Sequence, residues 1–180
     1  MNKKIVAARL AFSSLLLCGS AMAADVKLVF TGDVSSSTCS IDSGNGDGQY
    51  LKAVPLPTVS ARALAKQNDV AGRELVTLEL SGCTGTKVRT RFNRGANVDA
   101  VTGALINQAL VGNGPVSSAQ VQLLNSKYQP INLSTDAGAE TVNIESGTAK
   151  LEFYAQYLAA TPGTTPGKVE TEVLLDLIYE

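Results

Sequence analysis

The sequence predicts an all-β protein built as a β-sandwich. In several short segments apolar residues alternate with polar ones, and this period of two is typical of a strand with one buried face. Turn-forming residues separate these segments at short intervals, and only one short stretch has the composition of a helix. Such short strands with almost no helix indicate two packed sheets. No internal repeat or long hydrophilic linker divides the chain.

The first predicted strand covers 26–34, where every second side chain lies on one face. The segment 43–48 follows, with the Gly-rich, polar composition of a loop. Its Asn and Asp residues partly imitate a calcium-binding loop. However, Val54 stands at the twelfth position, where a bidentate glutamate is required. A flexible turn is therefore favoured over a calcium site.

The middle of the chain contains a short helical signal followed by two strands. Residues 51–56 form a candidate short strand that is ended by Pro55 and Pro57, and 61–66 is rich in Ala, Leu and Arg, which favours one helical turn. Alternation over 76–80 predicts a strand, with Cys83 just beyond its end. The same pattern continues over 88–92 on a second strand.

Basic side chains occupy the other face of this second strand. The row is Lys87, Arg89 and Arg91, extended by Arg94. A row of this kind suggests either a ligand-binding surface or the solvated face of a half-buried strand. The second interpretation is favoured, because no aromatic residues are interleaved and the chain as a whole is negative.

The last third of the sequence predicts a hairpin and two long strands. The hairpin joins the apolar pairs 121/123 and 131/133 around a turn at 125–128. A strand over 148–158 precedes a Pro- and Gly-containing turn at 161–167. The alternating segment that ends the sequence has four apolar side chains on one face: Val173, Leu175, Leu177 and Tyr179.

Residues 1–23 have the pattern of a cleaved secretory signal peptide. A basic start precedes a short apolar core at 10–18, and small residues lie on either side of Met22. The apolar run is too short to span a bilayer. Cleavage after Ala23 leaves 157 of the 180 residues, with 12 basic and 16 acidic side chains. The mature chain is therefore expected to be one mildly acidic domain, not inserted in the membrane and without nucleic acid as a partner.

Two cysteines remain after export, since Cys18 is removed with the signal peptide. In an oxidising compartment Cys39 and Cys83 are expected to form a disulfide. A metal site is disfavoured, because two cysteines without any histidine do not complete a zinc coordination sphere unless carboxylates join them.

Catalysis has little support in this sequence. Histidine and tryptophan are both absent, which excludes Ser-His-Asp and Cys-His sites. The sequence contains neither a Gly-rich phosphate loop nor a nucleophile elbow, and no carboxylate pair stands out. We expect no enzymatic activity, no metal and no cofactor.

The sequence resembles the pilin subunits of chaperone–usher fimbriae, of the type 1 and P pilus kind. The resemblance covers essentially the whole mature chain. It is carried by the order and spacing of several elements: 26–34, Cys39, 59–83, 153–155, the Gly167 turn and the alternating C-terminus with penultimate Tyr179.

The resemblance implies an incomplete immunoglobulin-like β-sandwich, completed by a donor strand from a neighbouring subunit. It divides the chain into a signal peptide (1–23), a donor extension (24–38) and a pilin domain (39–180). The donor residues would be Val26, Leu28, Phe30, Gly32 and Val34. The strand at the groove edge, where a periplasmic chaperone pairs before exchange, would contribute Val173, Leu175, Leu177 and Tyr179.

The function implied by the resemblance is that of a structural fimbrial subunit that supports cell adhesion. Its partners would be other pilin subunits, a periplasmic chaperone and an outer-membrane usher, and its location the cell surface, reached through the periplasm. Three alternatives remain open: a minor adaptor or tip-associated subunit, an adhesive subunit of the same fimbria, and a monomeric secreted β-sandwich. A separate lectin domain ahead of the pilin domain is not expected, because 157 mature residues leave no room for one.

Overall fold

The computed structural model describes residues 39–41 and 50–180. These residues contain seven strands and two short 3₁₀ turns. All of these residues belong to the same compact unit. The 3₁₀ turns are Ala61–Leu64 and Val111–Asn113. The strands are β1 (Ser40–Ile41), β2 (Val70–Ser81), β3 (Lys87–Phe92), β4 (Gln120–Leu124), β5 (Thr141–Asn143), β6 (Ala149–Leu158) and β7 (Leu175–Tyr179).

The strands form two sheets in which every pairing is antiparallel. One sheet has the order β1-β2-β6-β4 and the other has the order β5-β3-β7. The rings of Phe92 on β3 and Phe153 on β6 meet edge to face, with their centroids 5.9 Å apart, and so join the two sheets. The predicted all-β sandwich is confirmed.

The core follows the alternation that the sequence predicts. On β3, Val88, Thr90 and Phe92 are buried, and on β6 the buried residues include Leu151 and Phe153. Side chains of both sheets join in one apolar cluster, which also includes residues of β2 and β4. Period-2 burial on facing sheets is the arrangement expected of a sandwich.

The strand predicted over 76–80 is longer in the structure and contains a bulge. The pairing of β2 with β6 shifts between Ala71 and Glu74. Gly72 lies in this bulge with φ +65°. A Cβ atom there would lie 3.0 Å from both the Tyr157 ring and the Val59 side chain. The bulge interrupts the period of two, which explains why alternation alone located only the second half of the strand.

The 3₁₀ turn at Ala61–Leu64 confirms the helical signal at 61–66, although it is shorter. The Ser60 side chain caps this turn by accepting a hydrogen bond from the Arg62 backbone N–H at 3.3 Å. The prediction of a strand over 51–56 is wrong, since that segment has no strand structure. Leu56 nevertheless packs against the core, and its flanking prolines have no N–H to give to a ladder.

The predicted hairpin is present but its return arm is not a strand. The Asn125 N–H donates to the Gln129 carbonyl at 2.9 Å, and the Ile131 N–H donates to the Leu123 carbonyl at 2.9 Å. Beyond an isolated bridge between Leu124 and Pro130, the return arm becomes a turn. Ile131 is 1% exposed, so the apolar residue packs inside the domain although its segment is not a strand.

Candidate functional site

Strand β7 lies at the edge of its sheet. The order β5-β3-β7 places β3 on one side of β7, and none of the described strands lies on the other side. The register pairs Leu175 with Phe92, Leu177 with Thr90, and Tyr179 with Val88. Residues directly opposite one another share a face of the sheet. Alternate side chains of β7 therefore point the same way as buried residues of β3.

The hydrogen-bond pattern shows which backbone groups of β7 point away from β3. Lys87 and Glu180 exchange both backbone hydrogen bonds, at 3.1 and 3.0 Å, and the Asn93 N–H donates to the Leu174 carbonyl at 2.8 Å. In an antiparallel ladder the bonded pairs alternate with unbonded pairs. The backbone groups of Leu175, Leu177 and Tyr179 thus aim at the open edge.

The same three residues have apolar side chains that are only partly covered. They pack against the core cluster, as does Val173, which lies just before the strand. All five residues of β7 are half-buried, whereas the inward residues of β6 are almost fully buried. The open backbone edge and an incompletely covered apolar surface therefore coincide on the same residues.

The edge continues upstream of β7 with the same alternation. Backbone groups of Lys168, Glu170 and Glu172 bond to the segment 97–117. For example, the Gln108 N–H donates to the Glu170 carbonyl at 2.7 Å. The intervening Val169 is half-buried against the core. This extension was not predicted from the sequence, although Val169 lies four residues before Val173 and so continues the same period of two.

The groove-edge residues predicted from the sequence are thus brought together. Leu175, Leu177 and Tyr179 lie on β7, whereas Val173 lies two residues before it and outside the strand. The predicted donor residues lie outside the described part of the chain: Val26, Leu28, Phe30, Gly32 and Val34. The predicted loop at 43–48 lies outside it as well.

Strands β3 and β7 also share an outer, solvent-facing surface. Arg91 forms an ion pair with Asp176 at 3.0 Å, and Arg89 lies 3.8 Å from the Glu180 carboxylate. The basic row is therefore partly neutralised by its own neighbouring strand. This supports the interpretation as a solvated strand face, on which each exposed pair contributes about 1 kcal/mol or less.

The disulfide between Cys39 and Cys83 is present and closes a loop with a sequence separation of 44. Cys39 directly precedes β1, which pairs with the end of β2. The Cys39 N–H donates a hydrogen bond to the Tyr179 phenolic oxygen at 3.1 Å. Cys39 is thus tied both to Cys83 and to the end of β7.

Titratable groups with shifted pKa values have structural roles. Hydrogen bonds from the Thr102 and Val101 N–H groups, and then from the Gln120 side chain, lower the pKa of the Asp99 carboxyl against a smaller effect of burial. These bonds hold a tight loop. Burial raises the pKa of the Tyr157 phenol.

A cleft of about 440 Å³ lies where the ends of β2 and β6 meet β5. Glu79, Glu145 and Lys150 contribute charged side chains to it. Within 39–41 and 50–180, no cluster of three or more acidic or cysteine side chains is placed to hold a metal ion. The same residues include no helix that is long and apolar enough to cross a membrane.

Residues 56–180 match the family described as FimA, type-1 fimbrial protein A. This chain belongs to the type-1 fimbrial protein family. Among its relatives, the major fimbrial subunit SMF-1 of Stenotrophomonas maltophilia is 37% identical over 166 residues, which cover 88% of this chain and 95% of the relative. The F17 fimbrial protein of Escherichia coli is 37% identical over 169 residues, covering 88% and 89%.

Solved pilus structures share the fold of this fimbrial protein. A chaperone–usher pilus subunit superposes with a TM-score of 0.58 at 18% identity, covering 87% of this chain and 96% of that subunit. The P pilus rod subunit PapA gives a TM-score of 0.58 at 15% identity, covering 79% and 99%. The fold is thus the pilin type, an immunoglobulin-like sandwich that, within the described residues, is one strand short.

Family and fold together establish the role of the chain. It is a structural fimbrial subunit, it assembles with other pilus subunits, and it is located in a surface fimbria. The family is one of structural pilins and not a known enzyme family. The resemblance drawn from the sequence is confirmed.

Proposed function

We propose that this subunit polymerises by donor-strand exchange, with residues 24–38 of one copy pairing along β7 of the next. The proposal is supported by two features that coincide on the same residues of β7. Leu175, Leu177 and Tyr179 combine apolar side chains that are only partly covered with backbone groups that aim at the open edge. An extended segment with alternating apolar side chains satisfies both needs at once.

The predicted donor has the composition that this edge requires. Val26, Leu28, Phe30 and Val34 fall on one face at a spacing of two. At about 1.5–3 kcal/mol for each fully buried side chain, they offer about 6–12 kcal/mol before the cost of ordering the segment. Gly32 lies on the same face, where a missing side chain permits close approach of the two backbones.

The same edge also explains the need for assembly partners. An open strand edge beside apolar surface is an aggregation hazard before polymerisation. We infer that a periplasmic chaperone covers β7 first, through Val173, Leu175, Leu177 and Tyr179, and that exchange for the next subunit takes place at an outer-membrane usher. In this scheme 1–23 is a cleaved signal peptide, 39–180 is the pilin domain, and the protein performs no catalysis.

Two adjacent substitutions in the predicted donor test this proposal. We expect Phe30→Asp to abolish fibres, because it places a charge on the face that enters the neighbouring subunit. Val29→Asp, on the opposite face of the same segment, is the matched control and should leave fibre yield near that of the wild type. Fibres are viewed by negative-stain electron microscopy, and polymers are detected as a heat-sensitive ladder on a denaturing gel.

The outcomes separate the donor mechanism from its alternatives. Fibres from Phe30→Asp at the wild-type yield would contradict the donor assignment. Equal loss in both variants would show that the segment acts through its net charge or its export. A stable monomer from the wild-type chain in cells that carry an assembly system would identify a self-complemented sandwich instead.

A further inference from the structure

The side chain of Tyr179 links two parts of the domain that take different roles in the proposed polymer. Its backbone belongs to the open edge of β7, which would receive a neighbour's donor strand. Its phenolic oxygen accepts a hydrogen bond from the Cys39 N–H at 3.1 Å, across a sequence separation of 140. Cys39 is the first residue after the segment 24–38, which this subunit would donate to another copy.

The surroundings of this hydrogen bond hold both of its partners in place. On the Tyr179 side, the Glu180 carbonyl accepts hydrogen bonds from the N–H groups of Thr86 and Lys87 at 3.0 and 3.1 Å. On the Cys39 side, β1 begins at the next residue with the pair Ser40 and Ser81. The contact therefore joins two anchored backbones.

The disulfide does not fix the direction in which the chain extends from Cys39 toward the N-terminus. The bond to Cys83 fixes the Cys39 sulfur, and pairing of β1 fixes the chain that follows. Neither constrains the peptide group on the N-terminal side of Cys39, through which the donated segment is attached. The hydrogen bond to Tyr179 acts on the N–H of that peptide group, and a backbone N–H is a strong and directional donor.

We propose that the Tyr179 hydroxyl is a positioning group that sets the direction in which the donor extension leaves the domain. It thereby sets the angle between successive subunits in the fibre. This inference rests on the proposed function. Because the same residue belongs to the accepting edge, one side chain connects the strand that a subunit receives with the strand that it gives.

Tyr179→Phe tests the inference, because it removes the oxygen and keeps the ring that packs on the core. Because Tyr179 also belongs to the accepting edge, the yield of fibres can fall, and both readouts are taken from the fibres that form. In hydrogen exchange of sheared fibres, the Cys39 amide should exchange about fivefold faster, which corresponds to one net hydrogen bond of about 1 kcal/mol. In helical reconstructions, the distribution of twist between successive subunits should be broader than in the wild type.

Tyr154→Phe is the matched control, since it removes a phenolic oxygen from β6, away from Cys39. It should leave both the exchange of the Cys39 amide and the twist distribution unchanged. Unchanged exchange and twist in Tyr179→Phe would overturn the inference. So would loss of fibres at a normal subunit yield, because the hydroxyl would then be needed for pairing and not for direction.

A failure of the donor-strand proposal gives a different result from a failure of the inference about Tyr179. If the wild-type chain forms no fibres, the donor-strand proposal fails. Exchange of the Cys39 amide in the isolated protein would still report whether Tyr179 holds it, so the two failures can be told apart.

Discussion

At the scale of single residues, Thr90 stands out, because its hydroxyl is buried without a partner. It lies on the inner face of β3 opposite Leu177, and it is 0% exposed. Among the described residues, its Oγ1 is the buried side-chain atom that makes no hydrogen bond. A buried hydroxyl without a partner costs about 1–3 kcal/mol relative to an apolar group of the same shape.

Thr90→Val should therefore stabilise the domain. We expect the free energy of unfolding to rise by about 1–2 kcal/mol, because valine keeps the shape and removes the unpaired oxygen. For a chain of this size the melting temperature should rise by about 2–8 °C in thermal unfolding of the purified protein. Thr141→Val on the exposed part of β5 is the control, with little expected change. A fall in stability at position 90 would show that the hydroxyl has a partner.

At the scale of elements, two glycines separate backbone strain from crowding: Gly72 in the β2 bulge and Gly82 just after the end of β2. Gly72 and Gly82 have similar φ angles of +65° and +61°. A Cβ atom at Gly72 would crowd Tyr157 and Val59, whereas one at Gly82 would have nothing within 4 Å. Alanine at either position has the cost of a left-handed conformation, about 1–2 kcal/mol.

Gly72→Ala should destabilise the protein more than Gly82→Ala, because only the first adds a close contact. Chemical denaturation of both variants beside the wild type measures the difference. Equal losses would mean that the Tyr157 ring moves aside without cost, and that the bulge needs glycine only for its backbone conformation.

Elements with uninterrupted alternation were predicted well from the sequence. Strands β3 and β6 and the core residues on them appear as expected, because burial on one face imposes the period of two directly. The prediction failed where another constraint was stronger. Prolines kept 51–56 out of a ladder, and a bulge concealed the first half of β2. The alternation of apolar residues also does not show that β7 lies at a sheet edge, because that depends on how many strands pair with it.

At the scale of the whole molecule, the disulfide connects the beginning of the domain to the junction between its two sheets. Cys83 lies between β2 and β3, and its N–H donates to the Gly147 carbonyl at 2.9 Å. A cross-link over a loop of this length stabilises the folded state by about 4 kcal/mol in the chain-entropy account. That is a large share of the stability of an ordinary domain, which is about 5–15 kcal/mol.

Replacing both cysteines by serine should sharply lower the amount of subunit recovered from the periplasm. The double variant avoids leaving a reactive thiol, and Cys18→Ser is the control, because Cys18 lies within the predicted signal peptide. Subunit yield is measured by immunoblot of periplasmic extracts. Equal yields of the double variant and the wild type would mean that the domain folds without its cross-link.

The alternation of side chains on β7 affects which of its residues antibodies can recognise. Leu175, Leu177 and Tyr179 have inward side chains, and their backbone groups aim at the open edge. Asp176 and Ile178 face outward, beside Arg89 and Arg91 of β3. In the proposed polymer, the donor strand covers the first set, and antibodies against an assembled fibre would meet the second. Under that proposal, substitutions that escape such antibodies would accumulate at the outward positions without disturbing polymerisation, so that one short strand would keep its antigenic surface separate from its assembly surface.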